Sequence, residues 1–417
     1  MDRLIFHIDV NSAFLSWSAV KRLREDPSAL DLRLVPSAVG GDVKTRHGII
    51  TAKSLPAKRY GVVTGEPVAK ALQKCPDLIL IRSDFQTYRE YSAAFIEILR
   101  SYSPILEQVS IDEAFLDMTD RCADPISCAR EIRNEIKNTL GFTVNVGISS
   151  NKLLAKMASD FEKPDKTHTL WPSEIPEKMW PLPIISLYGC GPKTADRLTS
   201  FGITTIGAAA GTPLPVLTDM LGNNAGSYIH ESAKGLSSDI VHTQEEKAKS
   251  YSNETTLPED ITSENYERLM PACLLKLSSK VAGRLKRDGV FASTVTVIVK
   301  TSGFKRHTRQ AALPQPTCDD TVIYESTSRL MQQLTFAENG LFSQDAGIRL
   351  VGIGCSGLDD GSFRQLGLSD WIKEQELIQK QKKQRLINEE KEQRLQAMLS
   401  KVQSRYGSSA IHKGSDL

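Results

Sequence analysis

The chain predicts a multidomain protein of mixed α/β and α+β class, and three features of its pattern predict it. Strand-like and helix-like segments alternate through about residue 165. Residues 166–238 then offer short helical runs broken by Gly and Pro, with few strand signals. From 249 to 358 the order is strand, helix, two strands, helix, strand, a small unit of ferredoxin-like order. At 417 residues the chain is too long for one ordinary domain.

The first segment, residues 4–10, is a short apolar run ending on a carboxylate, hence a buried strand that delivers Asp9 to its C-terminal end. Asn11 and Ser12 read as the cap of a helix through Phe14, Trp17 and Val20. Gly40-Gly41 and His47-Gly48 punctuate a strand-and-loop region; a helix over 67–74, a strand over 78–81 and a helix over 88–102 follow. Residues 106–117 break into a strand, an acidic turn carrying Asp112 and Glu113, and a second strand. A helix over 129–140, a strand over 143–148 and a helix starting near Asn151 complete the alternating part. Residues 239–249 read as a polar linker, and beyond Trp371 the chain is dense in Glu, Gln and Lys and reads as one solvated helix.

Composition narrows the class. The hydrophobic fraction of 40% and charged fraction of 24% are those of a globular protein. No apolar run is long enough to span a bilayer, and the N-terminus goes straight into a strand with no signal-peptide pattern, so a cytoplasmic protein with no membrane partner is expected. The seven cysteines lie far apart with no Cys-x-x-Cys pair, which argues against a zinc site and for thiols in a reducing compartment. A net charge of +2 does not itself argue for nucleic acid. Between residues 276 and 309, however, nine Lys and Arg face a single acid, Asp288. That run reads either as a phosphate-tracking surface or as a solvated basic face.

Asp9, Asp112 and Glu113 each follow an apolar run that would seat a carboxylate at the edge of a buried sheet. Converging there, three carboxylates repel one another unless cations bind. Oxygen-only ligands suit magnesium, and two such ions can serve an in-line phosphoryl displacement.

These acidic segments resemble the catalytic motifs of the Y-family DNA polymerases, especially the bacterial DinB or DNA polymerase IV branch. The resemblance extends to residues 147–160 with Lys163-Pro164, similar to the segment that closes the family's palm, to residues 56–62 in its fingers, and to residues 188–195 in its thumb. The matches come in family order over roughly residues 4–355. The resemblance implies a right-hand polymerase with a ferredoxin-like palm (1–11 and 75–165), small fingers (12–74), a helix-hairpin-helix thumb (166–238), a linker (239–249) and a little finger (250–358). A clamp-binding peptide and helical tail (359–417) would complete the chain.

The same resemblance implies that Asp9 and Asp112 bridge two Mg2+ ions, that Glu113 completes the site, and that the Val10 carbonyl is a further metal ligand. Lys152 matches a lysine on the incoming triphosphate, with Lys156 on the same helix as the second candidate. A lone Phe such as Phe14 is ordinarily a core aromatic, but it stands five residues after Asp9, where the family carries the gate that excludes a ribose 2′-hydroxyl. In the fingers the chain departs from the family: Leu55 and Lys58 replace the usual Tyr and Arg, leaving Lys58 as a point-charge donor. Asn11 stands at the second acidic position and is not counted as a ligand. Gly189, Gly191 and Lys193 are expected on the DNA backbone, as are Lys305 and Arg306 of the basic run. Gln365, Leu366 and Leu368 resemble the peptide that docks on the sliding clamp, although a polar linker accounts for the same letters.

The function implied is that of a low-fidelity, template-directed DNA polymerase for translesion synthesis and repair, a monomer on primer-template DNA using deoxynucleoside triphosphates. No segment resembles a proofreading exonuclease. The alternatives are an inactive polymerase-like scaffold, a metal-dependent nuclease, or a catalytic subunit of polymerase V type.

Overall fold

A computed structural model describes residues 3–41, 48–243, 247–344 and 346–361, with isolated positions beyond. The chain divides into two compact units, 1–248 and 249–417.

The first unit runs β1 (Ile5–Val10), α1 (Ala13–Glu25), β2 (Ser37–Gly40), β3 (Ile50–Lys53), α2 (Leu55–Arg59), α3 (Val68–Lys74), β4 (Ile79–Ile81), α4 (Phe85–Tyr102), β5 (Leu106–Gln108), β6 (Glu113–Asp117), α5 (Pro125–Leu140), β7 (Val144–Ser149), α6 (Lys152–Ser159) and β8 (Thr167–Thr169). Four further helices come next, α7 (Pro192–Ser200), α8 (Ile206–Gly211), α9 (Leu214–Leu221) and α10 (Asn223–Ala233). The main sheet has the order β5-β6-β1-β7-β8, with β1 antiparallel to both neighbours. Taken with α4 and α5, it is the β-α-β-β-α-β arrangement expected.

The two faces of β1 have different duties, as strand alternation requires. Phe6, Ile8 and Val10 enter the large core with Tyr88, Phe95 and Ile132 of α4 and α5. Ile5, His7 and Asp9 face the other way, where Ile5 packs with Phe115 and with Ala155 of α6. A second, three-stranded sheet of order β3-β2-β4 is inserted between β1 and α4.

Helix starts differ from the sequence reading where a cap lies upstream of the apolar pattern. The helix expected at 88 begins at Phe85, because Asp84 accepts from the Thr87 N–H at 3.2 Å. The one expected at 129 begins at Pro125, capped by Asp124 through the Ile126 and Ser127 N–H groups. Ser12, by contrast, sits at φ 48° and makes no side-chain cap, so the start of α1 is fixed by packing rather than by a serine oxygen.

Leu198, Ile206, Leu217 and Ile229 of α7 to α10, with Leu187 and Cys190 just before them, share a core with Leu154 and Met157 of α6. The second unit runs β9 (Ser250–Ile261), α11 (Tyr266–Arg287), β10 (Phe291–Thr301), β11 (Arg306–Thr317), α12 (Asp320–Phe336) and β12 (Ile348–Asp359). Its antiparallel sheet has the order β11-β10-β12-β9 and packs on α11 and α12 through Leu274, Val281, Val295, Val299 and Ile323. All seven cysteines are free thiols. Among the described residues no helix is long and apolar enough to cross a membrane.

One contact sets the height of α6 above the sheet. A Cβ on Gly147 of β7 would overlap the Ala155 carbonyl oxygen and the Ser159 nitrogen, both backbone atoms that cannot turn aside. Gly147→Ala is therefore expected to destabilise the first unit by about 3 kcal/mol, read as a lowered urea midpoint; an unchanged midpoint contradicts the packing described.

Candidate active site

Antiparallel register brings the acidic residues together. Asp9 lies opposite Glu113 across the β1–β6 ladder, and the Val10 N–H donates to the Asp112 carbonyl at 2.9 Å. Asp112, just before β6, takes a hydrogen bond from the Ser110 hydroxyl at 2.7 Å. Burial pushes the Asp112 carboxyl above its ordinary range; the Ser110 hydroxyl opposes the rise, and the charges of Asp9 and Glu113 add to it.

Two lysines answer this negative charge. Lys156 of α6 lies 2.9 Å from Glu113 and 3.3 Å from Asp9. Lys163, in the loop after α6, lies 2.7 Å from Asp9 and 2.8 Å from Asp160. Burial works against the Lys156 charge, but Asp9, Asp160 and Glu113 outweigh it and hold the ammonium above the ordinary lysine range. Buried His7 completes the cluster, with Nδ1 2.8 Å from the Ser159 hydroxyl and Nε2 3.3 Å from Glu113. The His7 imidazole, and after it Lys156, hold the Glu113 carboxyl well below the ordinary carboxylate range against the effect of burial.

The lysine expected at this site is not there. Lys152 pairs with both oxygens of Glu107 at 2.8 Å and sits over the Phe115 ring, and it does not line the cavity. Lys156 and Lys163 take the place by the carboxylates instead. The physical reason is that Lys152 opens α6, more than a turn from the sheet end that carries Asp9, whereas the chain returns past that end at residue 163.

Asn11 has a different task from the carboxylate it replaces. Its Oδ1 accepts from the Asp165 N–H (2.9 Å) and the Thr143 hydroxyl (3.0 Å), and its Nδ2 donates to Asn145 (3.1 Å). Asn145 in turn donates to the Ser159 and Glu162 carbonyls and accepts from the Lys166 N–H. This buried amide pair pins both ends of the loop that carries Lys163.

A cavity of about 440 Å³ opens at this edge. Asp9, Val10, Asp112, Phe14 and Lys163 line it on one side; Thr51, Lys53, Leu55 and Lys58 line it on the other. Phe14 is both a packing residue and a lining one: it stacks on Tyr88 (centroids 4.7 Å apart, planes at 18°) while remaining in the cavity wall. The Tyr88 hydroxyl lies 3.1 Å from that of Ser18.

The remaining expected residues lie elsewhere. Gly189 and Gly191 are exposed on either side of buried Cys190, with Gly189 at φ +81° and Gly191 preceding α7, where Lys193 is exposed. Lys305 is exposed before β11, and Arg306 pairs with Glu254 at 2.7 Å. Lys286 likewise meets Asp320 at 3.2 Å, so the basic run is less one-sided in space than in sequence. Gln365, Leu366 and Leu368 lie outside the described residues.

As a metal site the donor chemistry fits: carboxylates at one sheet edge with a raised Asp112, already attracting two ammonium groups. Among the described residues, however, no group of three or more His, Cys, Asp or Glu side chains stands as a ready cage. The lysines lie among the carboxylates, and cation binding requires them to yield ground.

Comparison with known proteins gives this geometry its context. The impB/mucB/samB family model matches residues 8–160, its C-terminal domain residues 248–368, and the family's HHH motif residues 172–203. DNA polymerase IV of Clostridium acetobutylicum is 38% identical over 89% of this chain and 91% of its own. DNA polymerase IV 1 of Bacillus subtilis is 34% identical over 100% of this chain and 93% of its own. A solved Y-family DNA polymerase chimera matches in fold with a TM-score of 0.71 and 22% identity, covering 85% of this chain and 98% of that one. The chain belongs to the impB/mucB/samB family, the Y-family DNA polymerases of the DNA polymerase IV type. Dependence on a divalent metal comes with that membership.

The charge cluster predicts a pH signature in metal-free protein. Because the Glu113 carboxyl is depressed, its contribution to stability is present above the ordinary value of 4.5 and is lost as pH falls below it. Lys156→Met weakens that depression. Between about pH 5 and pH 3 in chelator, the variant is expected to lose less stability than wild type, measured by urea midpoints; identical pH slopes contradict the assignment.

Proposed function

We infer that the chain copies DNA templates with low fidelity. It is a DNA-directed DNA polymerase of the translesion and repair class, and it binds DNA as its substrate. The observation that carries the residue-level reading is that Asp9, Asp112 and Phe14 line one cavity with the residues of the small sheet opposite. The palm is proposed as 1–11 with 75–165, the fingers as 12–74, the thumb as 166–238, and the little finger as 250–358.

In the reaction, the primer 3′-oxygen bonds to the α-phosphorus of a deoxynucleoside triphosphate. The α–β phosphoanhydride bond breaks, pyrophosphate leaves and the hydroxyl proton passes to solvent. Asp9, Asp112, Glu113 and the Val10 carbonyl are proposed to hold two Mg2+ ions, an all-oxygen set of the kind that ion takes. Bound there, such ions lower the pKa of the attacking hydroxyl and neutralise charge on the leaving group. Lys163 is proposed to turn from Asp9 to the phosphates, the role expected of Lys152. Phe14, held rigid by its stack on Tyr88, closes the space a ribose 2′-hydroxyl needs. Gly189, Gly191, Lys193, Lys305 and Arg306 are assigned to the DNA backbone, and Gln365, Leu366 and Leu368 to the sliding clamp. The enzyme is proposed to act as a monomer in the cytoplasm.

Primer extension on undamaged and lesion-bearing templates tests the centre of this reading. Asp112→Ala is expected to lower kcat/KM by a factor on the order of 10³ or more, and equal extension by the two proteins overturns it. Phe14→Ala is expected to raise ribonucleotide incorporation on the order of 10²-fold relative to deoxynucleotide; unchanged sugar selectivity removes Phe14 from the gate.

A further inference from the structure

The fingers side of the cavity has lost the donors its relatives use, because Leu55 carries none and Lys58 carries only a point charge. The compensation lies one strand earlier. β3 alternates in burial: Ile50 and Ala52 are buried, while Thr51 and Lys53 are half-buried, and residues 51–53 all line the cavity. Ser54 then starts α2 by accepting the Ala57 N–H at 3.1 Å, which brings Lys58 to the same wall.

The charge balance of this wall differs from that of the opposite one. Lys163, Lys156 and Arg33 are committed to Asp9, Glu113 and Asp31 respectively. Among the described residues neither Lys53 nor Lys58 has a carboxylate at ion-pair distance. Lys53 donates to the Thr64 hydroxyl at 3.0 Å, and the Glu66 carboxylate is paired with Lys74 at 2.6 Å. Lys53 is half-buried. Burial, and after it the Lys58 charge, pull its pKa below the ordinary lysine value, against the opposing charge of Glu66. Two cations that share one wall and have no ion-pair partner among the described residues, opposite a carboxylate cluster with its own cations, describe a place for a polyanion.

We propose that Lys53 is a second triphosphate-binding residue, forming with Lys58 a two-lysine contact that replaces the missing finger donors. The inference deepens the polymerase reading and rests on it. Lys53 binds the phosphates that all four nucleotides share, so its effect is independent of the base.

Steady-state primer extension by the full chain, with each deoxynucleotide varied in turn, tests this. Lys53→Met keeps the aliphatic stem, Lys53→Gln keeps a donor to Thr64, and Lys53→Arg keeps the charge. Both neutral variants are expected to raise KM about tenfold for every deoxynucleotide, with kcat changed less than KM. Lys53→Arg is expected to return KM to within about twofold of wild type. Lys70→Ala, an exposed charge on α3 outside the cavity, serves as the control and leaves KM unchanged. An unchanged KM in both neutral variants overturns the proposal, as does a raised KM that arginine fails to restore or that affects one base only. Failure of wild type itself to extend primers would instead overturn the polymerase reading.

Discussion

Three carboxylates held at the end of one antiparallel ladder repel one another, and the surrounding structure is arranged to bear that repulsion. The register Asp9↔Glu113 follows from the unlike faces of β1, since a one-residue slip would exchange Phe6, Ile8 and Val10 in the large core for Ile5, His7 and Asp9. The fold thus cannot relieve the charge by sliding. It relieves it by bringing Lys156 down from α6, Lys163 back from the loop after that helix, and His7 up from two residues earlier on the same strand face. Each depends on the closeness of α6 to the sheet, and that closeness depends on Gly147 having no side chain.

A lysine among carboxylates is a stand-in that holds the site together and is also a competitor for it. The two lysines are anchored differently, which separates their behaviour. Lys156 is fixed on a buried helix and lies within reach of Glu113, Asp9 and Asp160 at once. Lys163 sits on a loop whose backbone is pinned by Asn11 and Asn145 while its own side chain is about one-third exposed. A pinned backbone lets such a side chain, once it leaves its carboxylates, swing without moving its base. Lys163 is therefore the one suited to leave a carboxylate for a phosphate, while Lys156 stays to hold Glu113 in place.

Much of this is legible in the residues, and the parts that are not have identifiable causes. Asp9, Asp112 and Glu113 can be found because apolar runs end on them, and the β-α-β-β-α-β order can be read from alternation. The motif match points to Lys152, with Lys156 second, because it identifies a segment and not which of its lysines the chain folds back onto the sheet end. A signal does exist. Asn11 directly follows β1 and Asn145 stands in β7, and buried amides need partners; the partners prove to include the backbone around Lys163. Lys53 escapes a reading of the residues for the opposite reason: strand register alone places it in the cavity wall, and a strand as short as β3 carries too little alternation to be read with its faces assigned.

Leu55 and Lys58 in place of the aromatic and arginine that the family resemblance implies, with Lys53 proposed beside them, alter how the direction of a nucleotide is fixed as well as how tightly it is held. A guanidinium grips phosphate oxygens through a planar fork and fixes their direction, whereas an ammonium attracts them with little directional preference. Lys53 and Lys58 leave the strand end and the short helix by flexible stems, one tethered to Thr64 and the other exposed. On the proposed reading the triphosphate is held by charge on the finger side and by geometry only on the palm side, where the ladder fixes the carboxylates. In the proposed reading Phe14, braced by Tyr88, is the rigid check at the sugar. A site that inspects the sugar strictly and the triphosphate orientation loosely tolerates a displaced base pair, and that tolerance is what copying across damaged template requires.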